Sequence, residues 1–106
     1  MQPLNWTALK ANCAGDEHLV SEVLVTFRRE QEPLVRAVRD AVDAGDAEAI
    51  RRAAHRLKGA LLTIAAQPSI DAAHALEFGG ADGARERFAT LEAELRMLTA
   101  VLPAIA

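Results

Sequence analysis

The chemistry of this sequence is concentrated in one stretch, Ala53-Ala54-His55-Arg56-Leu57-Lys58-Gly59-Ala60. Histidine has an ordinary pKa of about 6.5, so near neutral pH it offers a neutral nitrogen nucleophile. Arg51, Arg52, Arg56 and Lys58 surround it with basic side chains and no acidic residue intervenes, within a chain whose net charge is -3. An anionic group arriving at His55 would meet a counter-charge from Lys58, one helical turn away. Arg51, Lys58, Gly59 and Leu62 share the broad face of His55 at helical spacing. Gly59 costs about 1 kcal/mol relative to alanine inside a helix, and its missing side chain leaves room for another protein's backbone to come close. Leu62, apolar on a polar face, reads as part of a docking surface, with Arg51 and Arg56 as further partner contacts. A lone surface leucine and a merely solvated charge run are the ordinary alternatives.

Other candidate chemistry is thin. His18 and His74 lack the basic flank and the Lys-Gly pair, and read as surface or structural residues. The three histidines lie far apart and form no ligand-spaced pair, so no metal site is expected. No glycine-rich phosphate loop or nucleotide-binding motif exists, so the chain is not expected to use ATP. The net charge argues against nucleic acid as the main partner. The single cysteine, Cys13, forms no internal disulfide and fits a reducing cytoplasm. No apolar run is long enough to span a membrane, and the segment Met1 to Lys10 lacks the features of a signal peptide.

The elements that must position His55 are helices. Hydrophobic residues make up 51% of the 106 positions and aromatics only 4%, a balance rich in helix formers. Asn5 caps a short leader over Trp6 to Asn12, which places Trp6 and Leu9 at the end of the bundle. Asp16 opens an amphipathic helix running to about Ala44, with Val20, Val23, Leu24, Phe27, Leu34, Val38 and Val42 on one face. Pro33 inside it predicts a kink or local distortion, and Gln31 falls on the apolar line without a reason visible in the sequence. Gly45-Asp46 stops this helix and caps the next, whose buried face is Ile50, Ala53, Ala54, Leu57, Ala60, Leu61 and Ile64. On that register His55 points nearly opposite Leu57 and Ile64, away from the core. Pro68 suits the first turn of a short helix reaching about Phe78, with Ile70, Ala73 and Leu76 inward. After Gly79-Gly80, Asp82 is expected to cap a last helix striped by Ala84, Phe88, Leu91, Leu95, Leu98, Leu102 and Ile105. The expected fold is all-α, an antiparallel four-helix bundle with a short N-terminal leader helix, in one domain over 1–106.

The motif His55-x-x-Lys58-Gly59, with Ala54 before it and Leu57 inside it, resembles that of the histidine-containing phosphotransfer (HPt) family. The resemblance extends upstream through Phe27 and the Ala44-Gly45-Asp46 turn. Downstream it reaches Leu76-Glu77, where the family commonly has Leu-Glu or Leu-Gln. One departure is Ala65, where the family often has glycine. The resemblance implies a phosphorelay carrier without kinase activity of its own. A receiver domain bearing an aspartyl phosphate docks on the His55 face, the imidazole Nε2 attacks phosphorus, and the group passes on to another receiver. It also implies that the receiver supplies the Mg²⁺ and that the carrier binds no cofactor and acts as a monomer. If the fourth helix folds back on the third, Glu77 accepts the Nδ1–H of His55 and fixes its tautomer. The alternative for Glu77 is a carboxylate at the bundle edge. Gln67 is a weaker candidate for the same role. A start at Met1 suggests a free-standing protein rather than a module of a hybrid histidine kinase. A helical adaptor that binds a partner without transferring phosphate is the competing function.

Overall fold

The computed structural model describes residues 2–103 and contains five helices. They are α1 (Trp6–Asn12), α2 (Glu17–Ala44), α3 (Ala47–Thr63), α4 (Gln67–Phe78) and α5 (Ala84–Thr99), with no strand among the described residues. Caps set the starts of the first three. Asn5 accepts from the backbone N–H of Ala8, Asp16 from those of His18 and Leu19, and Asp46 from that of Ala49. Each side-chain oxygen satisfies a donor that the first turn would leave unpaired.

The helices close into a ring. α2 packs against both α3 and α5, α4 bridges α3 and α5, and α1 rests against α2. Short connections between packed neighbours make them antiparallel. The inward stripes follow the predicted periodicity: Leu24, Phe27, Val38 and Val42 from α2, Ile50, Ala54, Leu57 and Leu61 from α3, Ile70, Ala73 and Leu76 from α4, and Phe88, Leu91, Leu95 and Leu98 from α5 are buried, while Val20, Val23, Leu34, Ala53 and Ala60 are only half-buried at their edges. Ile105, the last position of the predicted α5 stripe, lies outside the described residues.

One local expectation, the Asp82 cap, is revised. α2 runs unbroken through Pro33, which is exposed. Asp82 does not cap α5: the residue before Ala84 is Gly83, in the left-handed conformation, and α5 begins without a side-chain cap. The loop is held instead by Arg87, whose Nη2 donates to the carbonyls of Gly79, Gly80 and Asp82. Trp6 is nearly half exposed, and Leu4, Leu9 and Cys13 are the leader residues that reach the core. Gln31 lines an open groove between α2 and α5 beside Arg28, Val35 and Leu95.

The α3–α4 junction carries the departure at Ala65. Its φ is +56°, a conformation that costs an L side chain about 1–2 kcal/mol. The amide of Asn5 donates to the Ala65 carbonyl at 3.0 Å, so the leader ties down this turn. A glycine would fit there without strain.

Candidate functional site

α3 turns Ala54, Leu57 and Leu61 into the core, so His55 faces outward. Its side chain is 67% exposed. α4 packs antiparallel on α3 and brings its last turn alongside, with Glu77 buried to 5% exposure. The His55 Nδ1–H donates to Glu77 Oε2 at 2.9 Å, which assigns the proton to Nδ1 and leaves the Nε2 lone pair directed away from Glu77.

The other Glu77 oxygen is also engaged. Lys58 Nζ lies 2.7 Å from Glu77 Oε1, and the Lys58 side chain is only 17% exposed. Burial pushes the Glu77 carboxyl up, but the close Lys58 ammonium and the hydrogen bond from His55 outweigh it and hold the group below the ordinary carboxylate range. One buried carboxylate therefore holds both residues of the His-x-x-Lys spacing. The structure brings together His55, Lys58 and Glu77.

The remaining predicted residues are distributed differently. Arg51 makes two contacts to Glu48, Nη2 to Oε1 at 2.6 Å and Nε to Oε2 at 3.1 Å, both side chains exposed. That bond raises the arginine pKa and lowers the glutamate's, so the acidic residue missing from the Arg51–Lys58 run is supplied one turn upstream. Arg56 is exposed and lines a shallow groove on the α2 side of α3, away from Glu77. Gly59 is exposed, and a Cβ there would meet nothing within 4 Å. Among the described residues, no neighbour requires glycine at this position. Leu62 is 53% exposed.

Gln67 does not belong to the site. It opens α4, whereas Glu77 lies in that helix's last turn, and its amide donates to Asp71 at 2.7 Å beside the leader residues Asn5 and Trp6. At 1.5 Å rise per residue the two positions are separated by about 15 Å along the helix.

Two residues at the site were not anticipated. His74 Nδ1 lies 3.4 Å from Lys58 Nζ, and its ring packs on Phe78 with centroids 4.7 Å apart. Phe78 is 65% exposed, with the Lys58 ammonium 5.3 Å from its ring centroid. The three- and four-residue spacings from His74 to Glu77 and Phe78 are visible in the sequence. That α3 lies beneath them is not. Among the described residues no group of three or more His, Cys, Asp or Glu is placed to hold a metal ion. No helix among the described residues is long and apolar enough to cross a membrane.

The site is thus an exposed imidazole braced by a buried carboxylate on the outside of a helical bundle. The family model for the Hpt domain matches residues 22–101, and the chain belongs to that family. It is similar to the sensor protein EvgS of Escherichia coli K12, with 36% identity over 74 residues. The corresponding protein of E. coli O157:H7 matches to the same extent. The match takes in 70% of this chain but spans only 6% of the length of either relative. No solved structure matches.

Proposed function

We propose that His55 accepts a phosphoryl group from the aspartyl phosphate of one receiver domain and passes it to the aspartate of another. The observation that carries this reading is the pairing of His55 Nδ1 with buried Glu77 while most of the imidazole stays exposed. In the step, the Nε2 lone pair forms the N–P bond as the P–O bond to the aspartyl carboxylate breaks. The aspartate leaves as a carboxylate, and the proton stays on Nδ1, donated to Glu77. Positive charge developing on the ring is matched by the Glu77 carboxylate, and Lys58 is within a helical turn of the arriving phosphoryl oxygens. The reverse step delivers the group onward. Mg²⁺ belongs to the receiver in this reading, and the carrier needs no cofactor. Gly59 and Leu62 admit the receiver, with Arg51 and Arg56 at the rim.

The experiment is incubation with a phosphorylated receiver domain, followed by detection of acid-labile phosphate on this chain. Label is expected on wild type and absent from His55→Ala. Equal labelling of both would remove His55 from the reaction, and receiver binding with no label on wild type would favour the adaptor. Glu77→Ala should slow label uptake by about tenfold, as loss of a group that orients an imidazole does elsewhere.

A further inference from the structure

We propose that His74 is a positioning residue for Lys58: it holds the ammonium against α4, and a phosphoryl group on His55 must draw the lysine away from it. This rests on the phosphoacceptor role proposed for His55. A lysine ammonium has three N–H donors and no acceptor. Each of its three neighbours lies on α4: Glu77 Oε1 at 2.7 Å, His74 Nδ1 at 3.4 Å, and the Phe78 ring at 5.3 Å to its centroid. The last is a cation–π contact. With His74 carrying its proton on Nε2, the Nδ1 lone pair accepts from Lys58. Phe78 fixes the His74 ring at 4.7 Å with a 53° tilt.

Lys58 is therefore already occupied in the unphosphorylated protein. A phosphoryl group on Nε2 presents charged oxygens one turn away on α3 and competes for those donors. Glu77 is the partner that Lys58 keeps, because releasing it would leave a buried carboxylate with His55 alone. The contact given up is the one to His74, the longest of the two polar contacts and the uncharged one. His74 is exposed, so its substitution leaves the core untouched.

The test uses the full chain phosphorylated directly with phosphoramidate, so no receiver enters. Two quantities are read: the lifetime of the phosphohistidine by phosphorus NMR, and the side-chain signal of Lys58 before phosphorylation. His74→Leu removes the acceptor and keeps an apolar contact for Phe78. It should shift the Lys58 signal and lengthen the phosphohistidine lifetime about two- to tenfold, the worth of one hydrogen bond at this length. His74→Asn, whose Oδ1 falls close to the Nδ1 position, should restore both to wild type. In a Lys58→Ala background His74→Leu should change nothing. An unchanged lifetime and Lys58 signal in folded His74→Leu overturns the proposal, as does the same lengthening without Lys58. If His55 takes no phosphate, the phosphoacceptor assignment fails, and the Lys58 signal alone decides whether His74 holds the ammonium.

Discussion

Lys58 Nζ and Glu77 Oε1 lie 2.7 Å apart across the α3–α4 interface, with the lysine 17% and the glutamate 5% exposed. The cation one turn after His55 is thus part of the helix packing as well as of the candidate site. Two oxygens of one carboxylate divide between His55 and Lys58, so a change at either residue is felt by the other through Glu77.

Lys58→Ala should therefore cost stability in addition to slowing transfer. It leaves a buried carboxylate with only His55 as partner, and removing one member of such a pair costs about 3 kcal/mol where burial is complete. The remaining exposure of Lys58 and access of water to Glu77 reduce this to about 1–2 kcal/mol. Urea unfolding at neutral pH measures it. A variant as stable as wild type would show that Glu77 does not depend on the lysine.

Acid should unfold the protein partly through Glu77. Its carboxyl is held below 4.5 in the native state, so between the native and unfolded pKa values the unfolded chain binds the additional proton. The stabilisation is complete above about 4.5 and is lost as pH falls through the lowered native value. Denaturation midpoints of wild type should fall across that window, and those of Glu77→Gln should fall less. The exposed Glu48 is also lowered, but it is common to both proteins and cancels in the comparison.

Ala65→Gly should stabilise the fold. Relief of a left-handed alanine is worth about 1–2 kcal/mol, and the greater freedom of glycine in the unfolded chain takes back about 0.4–1 kcal/mol. A net gain of about 0.5–1 kcal/mol should appear as a higher unfolding midpoint. A lower midpoint would mean that the Ala65 methyl contributes more packing than its conformation costs.

Gly79→Ala should do the reverse. A Cβ there would collide with Arg87 Nε and with the Ala75 carbonyl oxygen, so backbone or guanidinium must move. Such overpacking costs about 1–3 kcal/mol. Because Glu77 precedes this turn by two residues, the imidazole Nδ1–H resonance of His55 should shift as well. A shift in stability with an unmoved His55 signal would separate the loop from the site.

Much of this architecture is legible in the sequence. The three- and four-residue spacing of Leu, Val, Ile and Phe specifies four inward stripes, because an amphipathic helix has only one face to bury. The same 100° step turns His55 outward, and Asn5, Asp16 and Asp46 mark helix starts through donors that their own first turns leave free. Asp82 misleads because Gly83 and the Arg87 side chain, approaching from the next helix, perform the task that a local cap would have done.

The site itself is divided between the two levels. His55, Lys58 and Gly59 sit within five residues of one helix, where spacing alone fixes their relation. Glu77, His74 and Phe78 reach them from another helix, and how far α4 slides along α3 is decided by side-chain packing over the whole interface. That register separates Glu77, in contact with the imidazole, from Gln67, spent on Asp71 at the far end of the same helix. It also turns Lys58 from a surface cation awaiting phosphate into the counter-ion of a buried carboxylate, because only the tertiary fold places that carboxylate beneath it.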